Sequence, residues 1–213
     1  MHKIIVFLAA VVFLLTANLP AAAAQDVPSD IYQWVQASPR ISYYFNKAEM
    51  KYAVGSDGMA DTNVLEVPVL QQFDWIEIQD VTEKRRWNNE DVTGFSNLWG
   101  FAGIVHIDLK ARTAVYVQEE YLNTWWSSIA VFTSNNVDNI DKMSEKNLDR
   151  IFYDNIISYA AAHKIELMQR QHDQLKPDDL KAAGLTEKQT PAADKKTEKQ
   201  KVKEIMDRYQ TDK

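Results

Sequence analysis

Cysteine is absent from all 213 residues. Without a thiol the chain has no disulfide to restrict its unfolded state, no thiolate nucleophile, no CxxC redox pair and no cysteine-ligated zinc, so its stability has to come from packing. Other signatures are missing too. There is no GxSxG elbow, no SxxK pair and no HExxH helix, the six glycines form no phosphate-binding loop, and nothing recurs at a fixed period. Nor is there an excess of basic residues. The formal net charge of −6 argues against a nucleic-acid partner, which would want a basic face.

Long apolar runs are lacking everywhere except at the start. There, Lys3 supplies a positive charge, Ile4 to Leu19 are apolar apart from Thr16 and Asn18, and Pro20 with Ala21 to Ala24 form a small-residue cleavage region. This is the pattern of an export signal, and the run is too short and too quickly interrupted for a membrane span. Cleavage after Ala24 leaves a chain beginning Gln25-Asp26, with no cysteine for lipid attachment. An uncleaved signal acting as an anchor is the competing reading. The expected location is therefore the periplasm, the cell surface or the extracellular space, with no stable membrane insertion once the signal is removed.

What is present is unevenly distributed. Residues 25–175 carry 13 basic and 22 acidic groups (net −9), whereas residues 176–213 carry 10 and 8 (net +2). The first stretch also holds all six tryptophans and fourteen Tyr and Phe, ample apolar surface for one core. The expected division is a signal peptide over 1–24, one globular domain over 25–176 and a polar, largely disordered tail over 177–213.

From Ile31 to about Gln118 the periodicity is two, as for antiparallel strands exposed on one side. Strands are expected over Ile31–Gln36, Ile41–Phe45, Met50–Val54, Val64–Leu70 and Phe73–Val81. Matching apolar positions pairs Phe45 with Met50, Tyr43 with Tyr52 and Ile41 with Val54 around an Asn46–Glu49 turn. Gly55 to Gly58 read as a turn, and Pro68 favours an edge or a bulge. A second hairpin pairs Ile107 with Val115 and Val105 with Val117 across Lys110-Ala111-Arg112. Lys84 to Gly103 read as a long connection.

From Ser144, a plausible N-cap, the period becomes helical and continues to Pro177, about 30 residues or roughly 45 Å if unbroken. Leu148, Ile151, Phe152, Ile156 and Tyr159 form one stripe, while Ile157, Ala161, Ile165, Met168 and Leu175 point elsewhere. Either the helix kinks near Ala160–Ala162 or its second half packs on something other than the sheet. Val202, Ile205, Met206 and Tyr209 recur at helical spacing in the tail. The fold class implied is α+β: an antiparallel meander of about six strands, a long C-terminal helix on one face, then a flexible charged tail.

Several constellations are candidates for function. In the second hairpin's expected register, His106 and Asp108 share the exposed face with Tyr116 opposite and Glu120 beyond, two potential metal ligands without a closed set. Lys84-Arg85-Arg86-Trp87 is the densest basic patch, and Arg85 and Arg86 beside Trp87 suit a small anion or a sugar. Trp99 and the Trp125-Trp126 pair are candidate stacking platforms, and the two adjacent rings cannot share a direction. Ile165, Met168 and Leu175, with Val202, Ile205, Met206 and Tyr209, are candidate partner surfaces for self-association or for an envelope protein or polymer.

No residue is assigned a catalytic or metal-binding role, and no cofactor is implied. The function expected is an exported bacterial envelope protein acting as a non-enzymatic binding module. The alternatives are an envelope-polymer hydrolase or metal-dependent enzyme on the His106/Asp108 face, and a small-anion or sugar binder at Arg85/Arg86/Trp87.

Overall fold

The computed structural model describes residues 26–185; the signal segment and residues 186–213, including Val202, Ile205, Met206 and Tyr209, lie outside the described residues. An α+β fold is found, with an antiparallel sheet of eight strands and four mostly short α-helices among the described residues. The strands are β1 (Tyr32–Ala37), β2 (Ile41–Asn46), β3 (Lys51–Val54), β4 (Ala60–Phe73), β5 (Leu98–Asp108), β6 (Thr113–Asn123), β7 (Ser128–Phe132) and β8 (Val137–Asn139). The helices are α1 (Trp75–Trp87), α2 (Leu148–Ala162), α3 (Lys164–Arg170) and α4 (Pro177–Ala182).

The eight strands fill six lanes. The path runs β1, β2, β4, β5, β6, β7, while β3 lies beside β4 and β8 beside β6. Thus β2 and β3 are two halves of one lane, pairing Phe45 with Val69 and Lys51 with Glu66, and the expected hairpin between them does not form. Its turn does: the Asn46 carboxamide accepts from the Ala48 and Glu49 amides, and Met50 N–H donates to the Asn46 carbonyl at 3.0 Å. The 14-residue β4 is long enough to template both halves. Matching apolar faces does not tell two strands paired with each other from two strands paired with a third. Pro68, expected at an edge, lies in this central strand. It sits in the gap between the two halves, where the register leaves Val67 and Pro68 without partners on that side.

The hairpin of β5 and β6 forms, with its register displaced. Ile107 pairs with Ala114 and Val105 with Tyr116, and Val117 is bulged out between Tyr116 and Gln118. The inward row is therefore Ala114, Tyr116, Glu119 and Tyr121, while Val115 and Val117 turn to the open face. The sequence Ala-Val-Tyr-Val is apolar on both faces, and the bulge turns Tyr116 inward, where its ring packs on the core and on Phe101.

Two further expectations are corrected. Phe73–Val81 is mostly helix, because Asp74 caps the Glu77 amide at 2.8 Å and the last turn of α1 is basic. The 30-residue helix is replaced by α2, α3 and a 3-10 turn, and α4 starts at Pro177, within the stretch expected to be a disordered tail. Asn147, not Ser144, is the N-cap, and the helix stops at Ala162 with a break at His163, at the place where the two apolar stripes conflict. Phe152, Tyr153, Ile156 and Ala160 of α2 and Leu167 and Met168 of α3 are buried on the inner face of the sheet. The core also runs past residue 176, since Leu180 packs on it and Leu185 is buried. Among the described residues no helix is long and apolar enough to cross a membrane.

Candidate functional site

The strip between β4 and β5 determines where a cavity forms. Because β4 ends at Phe73 and β5 begins at Leu98, α1 and the loop after it stand at one end of the sheet. Their inner side faces the start of α2. Between them opens a cleft of about 580 Å³.

Aromatic rings form its floor. Tyr121 stacks on Phe132 at 4.8 Å, and Phe101 meets Tyr116 edge-on at 5.5 Å. Gly103 lies in the same inward row. A side chain there would come within 3.0 Å of both Phe101 and Tyr116, so the missing Cβ lets the rings converge.

Carboxylates form the walls. Glu77 and Asp80 come from α1, Glu90 from the following loop, Glu119 from β6, Asp138 from β8 and Asp149 from the first turn of α2, against Lys84 and Arg85 as the basic lining residues. Some of these acids are neutralised. Arg40 pairs with Asp80 at 2.5 Å and lies 3.8 Å from Glu77, and Arg85 pairs with Glu90 at 2.8 Å while stacking on Phe95. The other three have no ion pair among the described residues. Glu119, 5% exposed, accepts the Ser134 amide; Asp138 accepts the Tyr153 hydroxyl at 2.9 Å; Asp149 has neither hydrogen bond nor ion pair among the described residues.

The titrations follow from this crowding. Burial, then the nearby charge of Asp138, pushes the Asp149 carboxyl above the ordinary aspartate range. Burial raises Glu77 as well, with Arg40 opposing and Asp80 and Asp74 adding to the shift. The hydroxyls of Tyr116 and Tyr153 are driven upward, chiefly by burial, and remain donors. Tyr43, beneath Asp149 and Glu77, is pushed up to about 12, burial again being the main cause.

Of the residues singled out from sequence, three line this cleft: Lys84, Arg85 and Tyr116. Arg86 and Trp87 do not join Arg85, for they lie on the outward side of the last turn of α1, where Trp87 is 87% exposed. Tyr116 is separated from His106, Asp108 and Glu120, which remain on the open sheet face. There His106 bonds Glu66 at 3.0 Å, Lys51 pairs with the same carboxylate, and Asp108 holds the hairpin turn by accepting the Lys110 and Ala111 amides. Burial alone would raise Glu66, but its bonds and charges from Lys51 and His106 outweigh burial and hold it below the usual range.

Trp99 is buried against Trp126 in a small second core on that face, with centroids 5.3 Å apart. Trp125 points to solvent, as two adjacent rings require. Met168 and Leu175 are core residues and so are not free partner surfaces; Ile165 stays exposed. Among the described residues no group of three or more His, Cys, Asp or Glu is placed to hold a metal ion.

The wall residues Asp138, Asp149 and Tyr153 were not found from sequence. One signal was available: Asp74 followed three residues later by Glu77 is a helix-start pattern, and it would have moved Glu77, Asp80 and Arg85 onto one element. Nothing local joins Asp138 to Asp149, which meet through the packing of α2 on the sheet. Comparison with protein-family models, with curated proteins and with solved structures finds no match.

Proposed function

We propose that the chain is an exported, non-enzymatic binding module whose cleft takes a cationic group, an ammonium or guanidinium presented by a partner molecule. One observation carries this reading: among the described residues Glu119, Asp138 and Asp149 line the cleft without a basic partner, together with Tyr116, Tyr153 and Phe132. A cation entering there relieves the mutual repulsion of Asp138 and Asp149 and meets aromatic faces, which attract cations by about 0.5–2 kcal/mol. Anions and sugars are less suited, because Arg85 is already committed to Glu90 and to the Phe95 ring.

Calorimetric titration of the purified protein with tetralysine, tetraglutamate and a neutral chitooligosaccharide tests the reading. Tetralysine binding that weakens in Asp149→Asn supports it. Preference for tetraglutamate or for the sugar overturns it, and turnover of the sugar would replace it with the hydrolase alternative.

A further inference from the structure

We infer that two copies of this chain pair through β7, extending the sheet across a two-fold axis at Val131. The pairing does not depend on the cation reading of the cleft.

Backbone groups come first. Among the described residues the strand path ends at β7, which beyond its bulge at Ile129 pairs Ala130, Val131 and Phe132 with Tyr121, Glu120 and Glu119. The Asn123 amide donates to the Ser127 carbonyl across the same hairpin. Residues 119, 121 and 123 of β6 therefore turn their peptide groups toward β7, and Glu120 turns its own toward β5. Val131, opposite Glu120, accordingly presents its N–H and C=O at the outer edge of the sheet. Paired edge groups of this kind are a template for a further strand. The opposite edge is less regular: β1 is bulged between Trp34 and Gln36, and the Gln36 carboxamide donates to the Leu148 carbonyl at the start of α2, at 2.6 Å.

Charge then selects the occupant. With a formal net charge of −6, most of the surface repels a second copy. Residues 121–137 are an exception, holding no Asp, Glu, Lys or Arg. They hold no Pro either, so β7 carries neither of the residue types that commonly keep edge strands apart.

Symmetry fits the same occupant. A strand paired antiparallel with itself presents one patch to its own copy, as a two-fold requires. With the axis at Val131, Ala130 faces Phe132 of the second copy and Val131 faces its twin. Val131 is 70% exposed, so its side chain has little to cover it in the single chain. The exposed Trp125 and Val137 stand six residues to either side of Val131, and the two-fold carries each copy's Val137 toward the other's Trp125. The strand is short, five residues, so the association should depend on concentration.

Sedimentation of the full chain over a concentration series tests the pairing. The parent should pass from monomer to dimer, and Val131→Lys, which sets like charges across the axis at an exposed position, should weaken dimerisation by about tenfold or more. Amide hydrogen exchange read by NMR follows the edge in the unaltered chain. Protection at Val131 should rise with protein concentration, whereas Ala130 and Phe132, whose peptide groups face β6, should not change. A parent that sediments as a monomer up to about 1 mM overturns the inference. A dimer that Val131→Lys leaves unchanged, or one formed without concentration-dependent protection at Val131, places the interface elsewhere and overturns it too. A monomer whose Val131 amide exchanges slowly assigns the edge to another segment of the same chain, with the same consequence.

Discussion

Gln171 hydrogen-bonds both backbone groups of Tyr52: its carboxamide oxygen accepts the Tyr52 amide at 2.6 Å and its nitrogen donates to the Tyr52 carbonyl at 2.9 Å. A side chain from the end of α3 thereby acts as a rung of the sheet, next to the β3–β4 bulge at Tyr52 and Ala53. Gln171 is 6% exposed, so water does not replace it readily. Gln171→Leu should leave a buried donor and acceptor unpaired and cost about 2–4 kcal/mol, read as a lower urea midpoint. Gln171→Glu keeps the acceptor, loses the donor and adds a buried charge, and should be no better.

Two glycines in β5 should respond differently to alanine. At Gly100 a Cβ would lie 2.1 Å from the Gln71 carbonyl oxygen, a backbone atom of the adjacent strand. Gly100→Ala therefore has to part β4 from β5, and loss of folding or a cost beyond about 3 kcal/mol is expected in thermal unfolding. At Gly103 the nearest atoms, at 3.0 Å, are the Gln118 carbonyl oxygen and the rings of Phe101 and Tyr116: the backbone contact is far less close than at Gly100, and the rings can turn into the cleft. Gly103→Ala should cost about 1–2 kcal/mol and weaken tetralysine binding by narrowing the floor.

The Tyr153 hydroxyl holds Asp138 in place. Tyr153→Phe keeps the ring packed beneath α2 and removes the donor to Asp138. Loss of a bond to a charged acceptor costs about 1–3 kcal/mol, and water entering the cleft offsets part of it. The expected result is a stability loss near the low end of that range in denaturant titration.

How far the sequence carries depends on whether an element's partner is local. The β5–β6 hairpin, the Gly55–Gly58 turn and the helix break near Ala160–Ala162 follow from neighbouring residues, because turn chemistry and face matching act over short distances. The pairing of β2 and β3 with β4, and the inward turn of Tyr116, depend on a strand or helix remote in sequence. Alternation is ambiguous where both faces are apolar, as at Ala114–Val117. The cleft illustrates the limit: Arg85 and Tyr116 stand out as residue types, but their union with Asp138 and Asp149 is made by tertiary packing.

Asp149 should give the cleft a pH dependence of distinctive sign. Its carboxyl is raised from the ordinary value of 3.8 by burial and then by the Asp138 charge. Between the ordinary and the raised value the folded protein binds more protons than the unfolded chain, so this group makes stability fall as pH rises through that window. Cation binding has the opposite sense, since the ligand requires the carboxylate: affinity for tetralysine should climb as pH rises through the same window and level off above it. Calorimetry between about pH 4 and pH 7 measures the second effect, and thermal midpoints without ligand measure the first. Asp149→Asn should flatten both profiles relative to the parent and lower affinity at neutral pH by about tenfold, with a folding stability there that falls by no more than about 1 kcal/mol. A variant that retained the parent's affinity profile would remove Asp149 from the site.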